Sequence, residues 1–292
     1  MYHTPVLLAE ALEGLQLRPE GHYVDATFGG GGHSRAIMAG LGQGEGRLYA
    51  FDQDPDAAKN RLYDTRFHFF PCNFRQLYTC LADYPPVDGI LADLGVSSHQ
   101  LDEPGRGFSY RAEAPLDMRM QQQGPTAAEL IALSTPEALA DILYQYGDFR
   151  KSRPMARAIK AAQPETTTQL VAAVRSFLPR HNEYADLSRL FQALRIAVND
   201  EMAALEDLLQ QSLRVLKPGG RLVIISYHSY EDRLVKHYLR AGRADGELQK
   251  DAYGHPHTPW RLITRRAITP DEAEIRQNPR ARSAKLRIAE KA

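Results

Sequence analysis

The fold is decided by one stretch of the chain, Val24-Asp25-Ala26-Thr27-Phe28-Gly29-Gly30-Gly31-Gly32-His33. An apolar strand ends there in a carboxylate, Asp25, and four glycines follow before a predicted helix. Glycines in this place let the backbone approach a ligand closely at a helix N-terminus. A glycine loop alone also fits a tight turn without a ligand, so the surrounding pattern has to decide between the two.

Short apolar strands alternate with helices around this stretch. The predicted strands are His22–Ala26, Arg47–Asp52, Phe67–Pro71 and Val87–Asp93. The predicted helices lie near Ser34–Leu41, Pro55–Leu62 and Arg75–Leu81, and an earlier one starts at Thr4-Pro5 with Leu8, Leu12 and Leu15 at helical spacing. Such alternation predicts a parallel sheet with helices on both faces.

The alternation stops after Asp93. Residues 103–125 are rich in glycine, proline and charge, which predicts a loop. Helix starts follow at Thr126, Thr135 and Thr166, and no strand is evident between residues 126 and 180. We therefore expect an inserted all-α domain at residues 105–187, within a sheet domain formed by residues 1–104 and 188–292.

The sheet resumes after the insert. A long amphipathic helix is predicted from Leu187 to Leu216, ended by Lys217-Pro218-Gly219-Gly220. The remaining predictions are a strand Arg221–Tyr227, a helix from Ser229, a strand Trp260–Arg265, a short helix capped by Thr269-Pro270-Asp271-Glu272, and a strand Ala284–Glu290. Five wound strands with a final pair are typical of an α/β, Rossmann-like class I fold that binds S-adenosylmethionine (SAM), here with an inserted all-α domain.

Composition sets the broad class of the protein. The 292 residues are 43% hydrophobic and 25% charged, and Lys+Arg and Asp+Glu both total 36, so the net charge indicates no partner. Cys72 and Cys80 provide neither a disulfide framework nor metal spacing, which suits a reducing cytosol. We expect a soluble, cytoplasmic protein, because no signal peptide and no apolar run of about 18 residues is seen.

The carboxylates around the glycine loop indicate the cofactor. Asp52 ends the second strand about twenty residues on, where it can accept ribose hydroxyls, as in dinucleotide sites. Asp25, however, precedes the glycines. A carboxylate there suits a ligand that carries an ammonium and a sulfonium, and it would repel a diphosphate. The order of residues therefore favours SAM over NAD.

Three further residues are candidates for the site. Asp93 ends the fourth strand at the carboxyl edge of the sheet, where open α/β folds bind ligands, although it could equally cap a turn. Phe74 could lie against adenine or in the core. His228 follows the fifth strand and could contact the substrate base or accept a proton, or it could cap the next helix with Ser229. No His/Cys/Asp cluster has metal spacing, so we expect no catalytic metal.

The sequence resembles the RsmH (MraW) family, bacterial enzymes that methylate N4 of a cytidine in 16S ribosomal RNA. The matching stretches are His3-x-Pro5-Val6-Leu7-Leu8, Asp25-Ala26-Thr27-Phe28-Gly29, His33-Ser34, Phe51-Asp52-Gln53-Asp54-Pro55, Asp88 to Ser98, Arg106-Gly107-Phe108-Ser109, Pro115 to Met120, Phe191 to Asn199, Ile225 to Arg233, and Asn278 to Ser283. They run almost from end to end in the same order.

The resemblance implies cofactor contacts at Gly31, Gly32, His33, Asp52, Phe74, Asp93 and Gln100. It also implies that the inserted helical domain recognises the RNA substrate, in an assembled or nearly assembled small ribosomal subunit. The chain departs from the family pattern at Tyr230, Leu190 and Ala114, and it is short around residues 161–168 and 241–258. None of these departures falls on an implied cofactor contact.

The implied reaction needs an acceptor for a proton. The N4 amine of cytosine is a poor nucleophile, because its lone pair is delocalised into the ring, and a positioned base typically adds about 10²–10⁴-fold. The Asn/Asp-Pro-Pro-aromatic motif of many amino-methyltransferases is replaced by Asp93-Leu94-Gly95-Val96. We expect Asp93, a nearby backbone carbonyl or His228 to serve.

Two basic clusters are candidates for contacts with RNA phosphates. One lies near the C-terminus (Arg276, Arg280, Arg282, Lys285, Arg287, Lys291) and the other in the insert (Arg150, Lys151, Arg153, Arg157, Lys160). Either could instead be solvated charge. The competing functions are SAM-dependent methylation of DNA or protein, an RNA-binding ribosome-assembly factor, and a nicotinamide dehydrogenase.

Overall fold

The computed structural model describes residues 5–250, 253 and 256–292, and it covers only the backbone at 249, 250, 256 and 257. The contacts divide the chain into two compact units. The first consists of Met1–Gly95 and Ala203–Ala292, and the second of Val96–Met202.

Helices and strands follow one another in the order expected of an α/β unit with an inserted helical one. The helices are α1 Leu8–Leu15, α2 Gly32–Leu41, α3 Leu77–Cys80, α4 Ser98–Asp102, α5 Ala127–Leu133, α6 Pro136–Gly147, α7 Ser152–Ala162, α8 Thr167–Val174, α9 Glu183–Asn199, α10 Glu201–Val215, α11 Ser229–Ala241 and α12 Glu272–Gln277. The strands are β1 His22–Asp25, β2 Arg47–Phe51, β3 Phe67–Phe70, β4 Val87–Asp93, β5 Leu216–Ser226, β6 Gln249–Lys250, β7 Pro256–His257, β8 Trp260–Leu262 and β9 Lys285–Lys291.

The first unit is built on a seven-stranded sheet in the order β3-β2-β1-β4-β5-β9-β8. Strands β1 to β5 are parallel to one another, β9 pairs antiparallel with β5, and β8 pairs antiparallel with β9 at the edge. The predicted Rossmann-like sheet with a final pair of strands is confirmed, and the structure shows that this pair is antiparallel. The strand order reverses between β1 and β4, and this switch point is where open α/β sheets bind their ligands.

The central strand β4 shows why this unit folds as a layered sheet. Ile90, Leu91 and Ala92 are fully buried, because helices cover both faces. Successive side chains of a strand point to opposite faces. Ile90 and Ala92 accordingly join one apolar cluster and Leu91 joins the other. Burying a side chain of the size of Ile90 or Leu91 contributes roughly 1.5–3 kcal/mol.

The second unit is helical and has an apolar core of its own. Its centre includes the fully buried Ile131, Leu143, Ile159 and Leu170, from four successive helices. The helix starts predicted at three threonines are confirmed, because Thr126, Thr135 and Thr166 each accept a hydrogen bond from the third residue of the helix that follows. Each such cap contributes about 1 kcal/mol.

The boundaries of the helical unit differ from the expected residues 105–187. It begins at Val96 and ends at Met202. At the start, Val96 and Leu101 pack against its core, and at the end Leu194 of α9 is buried in the same core. Apolar contacts therefore extend the unit at both ends beyond what composition indicated.

The long helix predicted from Leu187 to Leu216 is wrong, because it is two helices. Asp200 adopts a left-handed conformation with φ of 50° and ends α9, and α10 begins at the next residue. The Asn199 side-chain amide donates to Met118 O at 2.8 Å and to Arg195 O at 2.9 Å, and its Oδ1 accepts from Met120 N. These contacts with a loop distant in sequence fix the break.

The glycine pair after α10 has a different role from the predicted one. Lys217-Pro218-Gly219-Gly220 lies inside β5, which begins at Leu216, and not in a loop before a strand. The pairing of β5 with β4 shifts register between Val87 and Gly89, and Gly219 has φ of 77°. The glycines thus accommodate a β-bulge, which needs a residue free to adopt this conformation.

Several helix starts also differ. Helix α1 begins at Leu8 and not at Pro5, and Thr4 lies outside the described residues. The helix predicted near Pro55–Leu62 is a 3-10 helix over Pro55–Asn60. Within the predicted capping stretch Thr269-Pro270-Asp271-Glu272, Asp271 is the residue that caps α12, since its side chain accepts from Glu274 N. Over the residues that the structure covers, the helices are all too short or too polar to cross a membrane.

Candidate cofactor and active site

The glycine loop that joins β1 to α2 depends on two unusual backbone conformations. Gly29 and Gly31 have φ of 51° and 74°, in the left-handed region that favours glycine. A Cβ added at Gly32 would lie 2.4 Å from Pro5 Cγ, so only glycine fits there. A Cβ at Gly30, in contrast, would meet nothing within 4 Å, so this part of the loop borders open space.

Asp25 holds the loop together from inside. It is 1% exposed, its Oδ2 accepts from Ser34 Oγ at 2.6 Å, and its Oδ1 accepts from Thr27 N at 3.1 Å. Burial raises the pKa of this carboxyl above its usual range. Asp25 thus joins the loop to the first turn of α2. A direct contact of Asp25 with a ligand stays a prediction.

Asp52 follows β2 and reaches the same loop from the neighbouring strand. Its Oδ2 accepts from Gly29 N at 2.6 Å, and its Oδ1 accepts from Asp54 N at 2.8 Å. Burial raises the pKa of Asp52 to about 6. The residue remains partly exposed, so each oxygen keeps a lone pair for a further donor such as a hydroxyl.

Asp93 ends β4 on the other side of β1. Its backbone N donates to Thr27 Oγ1 at 2.7 Å, and its Oδ1 accepts from the Tyr227 hydroxyl at 2.7 Å. The side chain is 22% exposed. Burial raises the pKa of Asp93 to about 6, against the lowering effects of His33 and the Tyr227 hydrogen bond.

His33 is held between the N-terminal segment and Asp93. Its Nε2 lies 3.1 Å from Val6 O, and its Nδ1 lies 3.9 Å from Asp93 Oδ2. Because a carbonyl oxygen can only accept, Nε2 carries the hydrogen, and in the neutral ring Nδ1 has a lone pair. His33 is buried at 6% exposure, so its ring is well fixed beside the carboxylate.

Phe74 opens the 3-10 turn after β3. Asn73 caps this turn by accepting from Arg75 N, and the Asn73 amide donates to Gln53 Oε1 at 2.8 Å. That bond ties the turn to the segment immediately after Asp52. The Phe74 ring is partly buried against the apolar cluster of one sheet face. The structure thus places Phe74 at the same carboxyl edge as Asp52.

His228 is the cap of α11, so the capping interpretation is confirmed for this residue, whereas Ser229 is the first residue of the helix. Its Nδ1 accepts from Glu231 N at 3.4 Å, and its Nε2 lies 3.0 Å from Glu231 Oε1. Glu231 Oε2 accepts from Tyr227 N at 2.8 Å. A role of His228 toward the substrate base stays a prediction.

Gln100 belongs to the helical unit, where it is 4% exposed. It forms a capping box with Ser97 at the start of α4, in which Ser97 N donates to Gln100 Oε1 at 2.9 Å. Its contact with a cofactor stays a prediction from the resemblance.

Three residues of this site were missed in the sequence, namely Thr27, Tyr227 and Glu231. Each bonds a predicted residue, but the partners of Thr27 and Tyr227 lie 66 and 134 residues away along the chain. A polar residue directly after a strand is a weak signal by itself. Within the described part of the chain, no group of three or more His, Cys, Asp or Glu side chains could hold a metal ion.

The two basic clusters differ in how their charges are used. In the C-terminal cluster, Arg287 and Lys285 pair with Asp232 at 2.7 and 3.4 Å, and Lys291 Nζ donates to two backbone carbonyls. In the insert, Lys160 Nζ also donates to two carbonyls. The other four are exposed and form no ion pair with any described residue: Arg150, Lys151, Arg153 and Arg157. We call these four residues the basic stripe.

A groove in the helical unit adjoins the basic stripe. Its volume is about 300 Å³, and Arg150 and Lys151 line it together with Phe149, Phe177 and Arg189. The Arg189 guanidinium lies 5.0 Å from the centre of the Phe149 ring.

Comparison with known proteins identifies the family. The model of the MraW methylase family matches residues 1–292. Two relatives, each called ribosomal RNA small subunit methyltransferase H, are from Parabacteroides distasonis (51% identical, over 99% of this chain and 97% of the relative) and Bacteroides thetaiotaomicron (49% identical, over 99% and 97%).

Among solved structures, an rRNA methylase from Streptococcus thermophilus is similar over 100% of this chain and 98% of its own. Its identity of 14% and TM-score of 0.43 are too low to add to the assignment. The match of the family model over the whole chain decides it. The chain belongs to the MraW methylase family.

Proposed function

We propose that this protein transfers a methyl group from SAM to the exocyclic N4 of a cytidine in small-subunit (16S) ribosomal RNA. The observation that carries the proposal is the arrangement at the carboxyl edge of the sheet. Asp52 and Asp93 flank the glycine loop at the switch point of a methylase-family fold, and neither is paired with a lysine or arginine among the described residues.

The residues at this edge fit SAM. The loop borders open space at Gly30, and the partly exposed Asp52 can accept from ribose hydroxyls. Carboxylates suit a cofactor that carries an ammonium and a sulfonium, whereas a diphosphate would be repelled. Phe74 offers an apolar surface for adenine. Gly31 is the N-cap of α2, and Gly32 and His33 begin the helix, where backbone N–H groups have no partner within the helix.

SAM supplies an electrophilic methyl carbon, and the transfer joins it to the acceptor nitrogen as the carbon–sulfur bond breaks. The protein has to hold the acceptor nitrogen in line with that carbon. Orientation of this kind can supply roughly 7–11 kcal/mol of the barrier. The rigid strand ends that carry Asp52 and Asp93 are suited to this task.

The acceptor amine loses a proton when the new bond to nitrogen forms, and Asp93 is in a position to take it. With a pKa of about 6, Asp93 is ionised at neutral pH, yet it is more basic than an ordinary carboxylate. A base positioned in this way typically adds about 10²–10⁴-fold to the rate. His228 is the second candidate acceptor.

RNA recognition is assigned to the helical unit. A base must leave its stack before it can enter an active site, which costs a few kcal/mol. Contacts between the basic stripe and phosphates would offset that cost. The substrate is the RNA in an assembled or nearly assembled small subunit, so we expect the reaction in the cytoplasm.

The test is methyl transfer from labelled SAM to small subunits from cells that lack the enzyme, with the product nucleoside identified by mass spectrometry. We expect N4-methylcytidine in 16S RNA, and its loss with Asp52→Asn. Asp83→Asn is the matched control, because Asp83 is an exposed carboxylate of the same unit.

The other outcomes separate the alternative functions. SAM binding without transfer to small subunits would move the search to another acceptor, such as DNA or protein. RNA binding without SAM binding would indicate a ribosome-assembly factor, and binding of NAD would indicate a dehydrogenase.

A further inference from the structure

We infer that Tyr227 is a positioning residue that gives the two oxygens of Asp93 different tasks. Its hydroxyl occupies Oδ1, so that Oδ2 is the oxygen left to take the proton of the acceptor amine. The inference rests on the proposed function, and it adds a residue that acts through Asp93.

The bond between the two side chains is short and well supported. Tyr227 directly follows β5, which lies beside β4 with Ile225 opposite Asp93. The hydroxyl lies 2.7 Å from Asp93 Oδ1, and the backbone N of Tyr227 is held by Glu231 Oε2 at 2.8 Å. Burial and the adjacent Asp93 raise the pKa of Tyr227 far above its usual value, so the hydroxyl stays protonated and donates.

The second oxygen has a different environment. The nearest ring nitrogen is His33 Nδ1, 3.9 Å from Oδ2, and this nitrogen carries a lone pair when the ring is neutral. No described residue donates a hydrogen bond to Oδ2. Oδ1 of Asp93 therefore already accepts a hydrogen bond, whereas Oδ2 accepts none from a described residue. Oδ2 is thus the atom that can accept the proton.

Titratable groups from each neighbouring element act on this pair. They are His33 from α2, Asp25 from β1 and Glu231 from α11, with Glu274 of α12 acting on Tyr227. Removing the Tyr227 hydroxyl leaves these groups in place and deletes a hydrogen bond that favours the ionised form of Asp93. The pKa of Asp93 should therefore rise in Tyr227→Phe.

The experiment measures Asp93 directly. Protein labelled with ¹³C at the aspartate carboxyl carbons is titrated by NMR, and the Asp93 signal is assigned by its loss in Asp93→Asn. We expect a midpoint about one pH unit higher in Tyr227→Phe, given what hydrogen bonds to charged groups contribute. Tyr238→Phe is the matched control, because Tyr238 is a buried tyrosine of α11 in the same unit. There the midpoint should not move.

Single-turnover methyl transfer at saturating SAM is followed in parallel across pH. If Asp93 accepts the proton, the acid limb of the Tyr227→Phe profile should move with the carboxyl midpoint. Transfer should then be about tenfold slower at pH values well below both midpoints, and the loss should shrink at high pH. An unmoved Asp93 midpoint would overturn it. A moved midpoint with an unmoved transfer profile would also overturn it, while leaving methyl transfer in place with another proton acceptor. Absence of transfer by the unsubstituted protein would refute the proposed function instead, and the NMR titration would still report on the Tyr227–Asp93 bond.

Discussion

Two aspartates at opposite ends of strand β4 have opposite environments. Asp88 lies near the amino end of the strand and Asp93 at its carboxyl end. Both are largely buried, so burial raises the pKa of each carboxyl. The difference between them arises from the groups that surround each one.

Asp88 is surrounded by donors and cations. It accepts from His22 N at 2.8 Å and from Lys217 Nζ at 2.9 Å, and it pairs with Arg18. Burial raises the pKa of Asp88, but the His22 hydrogen bond and the Lys217 and Arg18 charges outweigh burial and hold it below its usual range. Asp88 thus anchors the amino edge of the sheet as an anion at neutral pH.

Asp93 has no cation of this kind among the described residues. The neutral Tyr227 hydroxyl is its one side-chain donor there, and Asp25 and Glu231 add like charge. Its pKa of about 6 makes it a carboxylate able to exchange a proton near neutral pH. One strand therefore carries, at one end, a carboxylate held ionised by donors and cations and, at the other, the carboxylate that we propose as the proton acceptor.

The largest expected effect is on catalysis by Asp93→Asn. An amide cannot accept the amine proton, so single-turnover methyl transfer at saturating SAM should fall by about 10²–10⁴-fold, or roughly 3–5 kcal/mol in the barrier. Asp83→Asn is again the control. Retention of transfer within threefold would show that Asp93 is not the proton acceptor.

The same substitution at the other end, Asp88→Asn, should destabilise the fold. Removing one partner of a buried ion pair costs about 3–5 kcal/mol. Lys217 and Arg18 are 41% and 70% exposed and regain water, so we expect the free energy of unfolding to fall by about 2 kcal/mol. Urea unfolding measures it. Because the folded pKa of Asp88 is lowered, the loss should be full at pH 7 and disappear as the pH falls through that pKa. A loss of stability that persists in acid would show that Asp88 does not act through its negative charge.

At pH 8, Asp93→Asn should raise the free energy of unfolding, whereas Asp88→Asn lowers it. A folded pKa raised to about 6 means that the contribution of Asp93 to stability is full below its unfolded pKa of about 3.9 and is lost as the pH rises through 6. The amide avoids this loss, so we expect it to stabilise the protein by about 1–2 kcal/mol at pH 8. The gain should vanish near pH 4, and destabilisation at pH 8 would contradict the assigned environment of Asp93.

The smallest expected effect concerns the basic stripe, whose cations form no ion pair with any described residue, unlike the cations around Asp88. Arg153→Gln with Arg157→Gln removes two members of the basic stripe, and we expect RNA affinity to fall severalfold. The slope of log affinity against log salt should become shallower by about 0.7–0.9 for each phosphate that the variant no longer neutralises. Lys236→Gln, an exposed cation of the sheet unit, is the control. Equal slopes for all variants would exclude the stripe from RNA binding.

The parts of this protein that its sequence determined are those fixed by local spacing. Strands β1 to β4, the threonine caps of the helical unit, the glycine loop and the position of Asp52 all follow from residues within one turn, one strand or one strand–helix unit. Periodicity and capping act over a few residues, so a pattern in the sequence carries them directly. The resemblance to the methylase family rests on the same local motifs.

Which of the buried groups are partners depends on the tertiary structure. The break between α9 and α10 depends on Asn199 bonding a loop near Met118, and the difference between Asp88 and Asp93 depends on Lys217 and Tyr227. These partners lie between 81 and 134 residues apart along the chain. A carboxylate looks the same in any sequence, because its pKa and its role are set by the burial, donors and charges that only folding brings to it.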